Sequence, residues 1–135
     1  MGFLLRKLRA FADRKLPAHL RNARHGEDLA YDYLKRRGYQ IVAVNYRARN
    51  SRGEVDLFAY HDDLLICIEV KTRKSADFGR PEEFVGREKR GHLIRAAEEY
   101  ARRVGWNPLL IRYDIVSVTL EPVVEIELFQ GAFDG

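Results

Sequence analysis

Cysteine is nearly absent from this chain: Cys67 is the only one in 135 residues. A single thiol excludes an internal disulfide and a cysteine-built zinc site, and it fits a reducing, cytoplasmic setting. Long apolar runs are missing too, since none approaches the ~20 residues that cross a bilayer. No stable membrane association is therefore expected. The opening M-G-F-L-L-R-K-L-R-A-F is broken by charge too early for the apolar stretch of a secretory signal. His19, His25, His61 and His92 lack paired metal-ligand spacing. Neither G-x-S-x-G nor a phosphate-cradling glycine loop occurs, which removes the common serine-hydrolase and nucleotide-binding chemistries. No internal repeat or second domain is visible.

What the chain does have is a core and an uneven charge. Hydrophobic residues make up 46% and charged residues 33%, the balance of one globular domain. The net charge is +4. Residues 1–25 hold Arg6, Lys7, Arg9, Arg14, Lys15, Arg21 and Arg24 against Asp13 alone, and residues 71–103 are also basic. Beyond Asp114 come only Glu121, Glu125, Glu127 and Asp134. Such polarity suits a polyanion, which is a nucleic acid or, failing that, an anionic membrane surface.

The stretch that carries chemistry is residues 53–73, G-E-V-D-L-F-A-Y-H-D-D-L-L-I-C-I-E-V-K-T-R. It is mostly apolar, yet Glu54, Asp56, Glu69 and Lys71 are embedded in it. Alternation in two halves about Asp62-Asp63 predicts two strands joined by a tight turn. With His61 facing Leu64, Phe58 falls opposite Cys67, Asp56 opposite Glu69, and Glu54 opposite Lys71. A period of two then projects all four charged side chains from the face that carries Phe58, Leu65 and Cys67. Directly opposed Cβ atoms lie about 4.5–5.5 Å apart, so two carboxylates there repel unless a proton or cation sits between them. An oxygen-preferring divalent cation resolves the conflict, with Lys71 beside it. The ordinary alternative is a wet hairpin face on which Glu54 and Lys71 form a plain ion pair. The register is the critical assumption, because Asp-Asp lacks the glycine that two-residue turns favour.

Around this hairpin the elements fall in order. Residues 1–17 form a basic amphipathic segment, and residues 3–16 could lie on a membrane surface or bind a partner. A helix over residues 18–37 ends at Gly38, with Leu20, Ala23, Glu27, Ala30 and Leu34 as its buried stripe. Glu27 interrupts that stripe and needs a partner, either Arg24 at the edge or the site itself. Residues 39–47 read as a strand, and residues 48–53 as a loop whose Arg49 and Arg52 either approach a phosphate or are simply solvated. After a polar loop from Lys74, Pro81-Glu82-Glu83 resembles a helix start. The apolar stripe Leu93, Ala96, Ala97, Tyr100, Ala101 and Val104 ends at Gly105 and, extended backwards, reaches Lys89. Residues 109–118 and 123–129 read as two strands, and 130–135 as a frayed tail, leaving 18–129 as the domain. Asp114, on the same strand face as Arg112, either supports Lys89 or an arginine near the site or is structural.

Four pieces of this sequence carry a family resemblance: G-E-D-L-A at 26–30, G-E-V-D-L at 53–57, E-V-K-T-R at 69–73 and R-Y-D-I-V at 112–116. The E-V-D, turn, E-V-K arrangement resembles the signature of the PD-(D/E)XK nuclease superfamily. The wider chain, from about His25 to Val118, is similar to the YraN-type family of bacterial endonuclease-like proteins, related to archaeal Holliday junction resolvases. No proline precedes Asp56, a departure from the superfamily label. The resemblance implies an α/β, restriction-endonuclease-like fold, a mixed β-sheet flanked by helices. It also implies a metal-dependent endonuclease acting on DNA, with branched or junction DNA as a substrate class. Asp56, Glu69 and the Val70 carbonyl would hold Mg²⁺ or Mn²⁺, and Lys71 would act on the water or the transition state. Glu27 would complete the site, and Glu54 would steady Lys71. Arg49, Arg52, Arg73, Lys74, Lys89 and Arg90 are the candidate phosphate-binding cations. Related resolvases cut junctions as dimers, so a homodimer belongs to the same expectation. The rival expectation is a nucleic-acid-binding module that keeps the fold without the catalysis.

Overall fold

The structure, a computed structural model, describes residues 16–49, 52–76 and 85–135. The basic segment up to residue 15 and the helix start expected at Pro81 lie outside the described residues. Helix α1 spans Ala18–Arg36, strand β1 Gln40–Arg47, β2 Glu54–His61, β3 Leu64–Arg73, helix α2 Arg87–Val104, β4 Ile111–Thr119 and β5 Glu125–Phe133. The strands form one sheet in the order β1-β2-β3-β4-β5. All neighbours are antiparallel except β3 and β4, which run parallel with α2 as the crossover between them. This is the expected α/β fold, a mixed sheet with one helix on each face. No helix among the described residues is long and apolar enough to cross a membrane.

Each face has its own core. Ala30 and Leu34 of α1 pack over Leu57, Ala59, Ile66, Ile68 and Val70. Leu93, Ala96, Ala97 and Ala101 of α2 pack over Phe58, Leu65, Cys67, Tyr113 and Ile115 on the other side. Strand β3 is covered on both faces, which is why L-L-I-C-I-E-V is nearly continuous in apolar residues and does not alternate. Gly26 brings α1 against β3, where a Cβ would stand 1.8 Å from Thr72 Oγ1. Only the later turns of α1 are buried, however. Leu20 is 43% exposed, so the predicted stripe does not extend to the start of the helix.

The hairpin forms as the residues predict. His61 pairs with Leu64, Phe58 with Cys67 and Leu57 with Ile68. Asp62 and Asp63 take left-handed φ angles of 52° and 60°, the geometry of a primed two-residue turn. Aspartate is among the non-glycine residues enriched in that region, and Asp62 Oδ2 is also held from β4, 3.2 Å from Arg112 Nη1. At the chain's end, residues 130–133 continue β5 and are not a frayed tail. The Gly131 N–H donates to Asp114 and the Phe133 ring stacks on Tyr113 at 5.0 Å.

Candidate active site

The charged end of the hairpin departs from a regular ladder, and that departure makes the site. The β2–β3 pairing runs from His61↔Leu64 to Leu57↔Ile68. Beyond that pair, the Val70 N–H donates at 2.8 Å to Asp56 Oδ2, a side chain standing in for a backbone acceptor. Asp56 thus turns toward β3 and does not stand out beside Phe58.

Glu69 follows the regular pattern and faces the α2 side. Its side chain is 6% exposed, and Oε1 lies 3.5 Å from Lys89 Nζ and 3.8 Å from Lys71 Nζ. Oε2 is buried with no hydrogen-bond partner among the described residues. Burial, reinforced by the Asp56 charge, pushes the Glu69 carboxyl up to about 7, against the pull of Lys89 and Lys71. Burial also raises the Asp56 carboxyl, while the Val70 N–H and Lys89 pull it back down. Two carboxyls whose ionised forms are both disfavoured, one with a bare buried oxygen, form an acceptor set matched to a hard cation. Among the described residues no three histidine, cysteine, aspartate or glutamate side chains gather closely enough to hold a metal by themselves. The Val70 carbonyl and water would have to supply the remaining oxygens.

Glu27 and Asp56 line one small pocket together with Asp28, Tyr31, Val44, Asn45 and Leu57. The Glu27 side chain is partly buried on the α1 side. From three elements, Glu27 shares that pocket with Asp56, the Asp56 charge reaches Glu69, and Glu69 contacts Lys71. Lys89 joins them as a fourth element's contribution and makes the nearest ammonium contact to Glu69.

Other expected residues go elsewhere. Glu54 does not pair with Lys71. Gly53 and Val55 face α2, so Glu54 turns away from that side and lies 3.9 Å from Arg47 on β1. Asp114 supports neither Lys89 nor the site. It is fully buried on the α1 face, where it accepts from Arg112 Nε at 2.9 Å and Arg112 Nη2 at 2.9 Å, from Tyr39 Oη at 2.8 Å and from the Gly131 N–H at 3.0 Å. With each Asp114 oxygen accepting two hydrogen bonds, that network stabilises the fold. Arg90 donates to the Val85 carbonyl at 2.9 Å and lies over the Phe133 ring. Arg73 donates to Thr119 Oγ1 at 3.0 Å. Arg49, Arg52 and Lys74 are exposed. The Arg49 N–H is held by the Glu99 carboxylate at 3.0 Å, an anchor between the β1–β2 loop and α2 that nothing in the sequence pattern indicated.

The comparisons agree with the motifs. Residues 26–118 match the Uncharacterised protein family UPF0102. A UPF0102 protein of Solibacter usitatus is 43% identical over 98% of this chain and 99% of its own length. UPF0102 proteins of Koribacter versatilis and Caldicellulosiruptor bescii are 41% and 39% identical, over 87% and 82% of this chain and 82% and 94% of their own lengths. With a match across most of the chain and relatives at that identity, this protein belongs to the UPF0102, or YraN, family.

Proposed function

We propose that this chain is a metal-dependent endonuclease that hydrolyses phosphodiester bonds in DNA, with branched DNA as its favoured substrate. The observation that carries the proposal is the buried Oε2 of Glu69, without a hydrogen-bond partner among the described residues, beside the Asp56 carboxylate that burial also disfavours. A buried carboxylate oxygen without a partner is costly, and a divalent cation would satisfy it. Asp56, Glu69 and the Val70 carbonyl would hold Mg²⁺ or Mn²⁺. A cation there would polarise a phosphate and acidify a bound water. Lys71, anchored at Glu69 Oε1, presents an ammonium where negative charge builds up on the phosphate oxygens. Glu27 lines the Asp56 pocket and would accept hydrogen bonds from water there. The net positive charge would supply a salt-dependent share of DNA affinity. Cutting a symmetric junction on both strands needs two such sites, hence two chains.

The test is a cleavage panel of four-way junction, flap, duplex and single-stranded DNA with Mg²⁺ and with Mn²⁺, run beside Glu69→Ala. Metal-dependent cutting that disappears in the variant supports the proposal. Salt-dependent binding with no cutting under either metal would make the protein a DNA-binding module.

A further inference from the structure

The β1–β2 pair contains a reset that bears on Asp56. On β1, Ala43 and Tyr46 both pack against the α2-side core. On β2, Val55 and Phe58 both belong to that core, while Leu57 belongs to the opposite one. Residues three apart on a regular strand point to opposite faces, so each strand skips one step of alternation. The pairs Val44↔Leu57 and Tyr46↔Val55 bracket the skip and leave Asn45 across from Asp56. Asn45 has φ 49°, left-handed within a strand.

Without the reset, Asp56 would follow Phe58 onto the side of the α2 core, which also carries Glu69 and Lys89. Val55 would be displaced from that core in exchange. Losing Val55 from the core forfeits apolar burial, and Asp56 would give up its bond from the Val70 N–H. With the reset, Val55 fills the core and Asp56 reaches the Val70 N–H and the pocket shared with Glu27. Asparagine is among the few non-glycine residues enriched at left-handed φ, and such single-residue irregularities re-aim side chains next to functional sites.

We infer that Asn45 is a positioning residue for Asp56. Its left-handed backbone makes the step in β1 across from Asp56 that lets the Asp56 carboxylate reach the Val70 N–H. The consequence for metal binding rests on the function proposed above; the positioning itself does not. Amide hydrogen exchange of the metal-free protein tests the positioning directly. Asn45→Gly keeps access to left-handed φ, whereas Asn45→Ala opposes it. The Val70 amide should stay within about twofold of the parent in Asn45→Gly and exchange about tenfold faster in Asn45→Ala, as it should in Asp56→Ala, with the Ile68 amide unchanged. Mn²⁺ affinity, measured by calorimetry, should fall about tenfold in Asn45→Ala and hold in Asn45→Gly. Parent-like Val70 protection in Asn45→Ala would overturn the inference. Equal loss in Asn45→Gly would also overturn it, by assigning the effect to the side-chain amide. A parent protein that binds no Mn²⁺ would sink the proposed function, while the exchange comparison would still decide the role of Asn45.

Discussion

Lys89 Nζ lies 3.5 Å from Glu69 Oε1, closer than Lys71 at 3.8 Å, although Lys71 is only two residues away on the same strand. The ammonium arrives from α2, so the helix that covers one face of the sheet also partly neutralises the site. Two lysines at one oxygen explain how the chain tolerates Asp56 and Glu69 together, while the other oxygen has no hydrogen-bond partner among the described residues.

The tolerance is incomplete, and pH should expose it. Burial pushes the Glu69 carboxyl up to about 7 from an ordinary 4.5, so the folded state holds that proton more tightly than the unfolded one. A raised acid contributes stability that is fully present below its unfolded value and lost as pH rises through the folded one. Metal-free protein should therefore lose up to about 3 kcal/mol between pH 4.5 and 7.5 on this group's account. Glu69→Gln mimics the protonated form and should flatten the curve over that window. Chemical denaturation in the presence of a chelator, read as the difference between parent and variant, checks it. Superimposable pH profiles would mean that the two lysines already neutralise Glu69 fully.

Asp56 separates charge from hydrogen bonding. Asp56→Asn keeps an oxygen for the Val70 N–H and removes the repulsion with Glu69, so stability without metal should hold or rise. Asp56→Ala strands the Val70 N–H and should cost about 1–3 kcal/mol. Both should weaken Mg²⁺ binding, which is read as a reduced rise in melting temperature on adding the metal. A large loss of stability in Asp56→Asn, with an unchanged metal-dependent increment, would make Asp56 a structural residue.

The sequence carried much of this site. Alternation about Asp62-Asp63 located the turn and the Phe58↔Cys67 pairing, and the α2 stripe, extended backwards, reached Lys89. The destination of Glu54 and the turn of Asp56 toward β3 were not legible, because both depend on the skipped step at Asn45. In I-V-A-V-N-Y-R the only local sign of it is an asparagine inside a β-branched run. The end of β5 was hidden for another reason. G-A-F-D-G looks like a tail until Gly131 meets Asp114 and Phe133 meets Tyr113, contacts made across the sheet. Exposure of Leu20 was equally beyond periodicity, which gives a helix's apolar side but not how far the sheet extends beneath it.

Lys71 should matter to chemistry more than to assembly. Lys71→Ala removes the ammonium nearest in sequence to Glu69 but leaves both acids, the Val70 carbonyl and Lys89. Cleavage should fall at least about a hundredfold, while Mn²⁺ and DNA affinities change little. Single-turnover kinetics together with filter-binding measurements separate the two effects. Parent-like cutting would reduce Lys71 to a surface ion-pair partner.

Glu27 provides the sharpest test that α1 belongs to the site. It shares a pocket with Asp56, is partly buried, and interrupts the side of α1 that bears Ala30 and Leu34. A structural glutamate and a site glutamate respond differently to loss of charge alone. Glu27→Gln preserves shape and hydrogen-bonding reach, so the melting temperature should stay within a few degrees, given that about 1 kcal/mol shifts a domain of this size by roughly 4 °C. Cleavage should nevertheless drop by about tenfold to a hundredfold, in keeping with the loss of an outer partner of a metal site. Raising Mn²⁺ should recover part of that loss if Glu27 acts through the cation and its water, and none if it contacts only DNA. A Glu27→Gln variant that cuts at the parent rate would leave the hairpin acids as the whole site and make α1 a cover for the sheet.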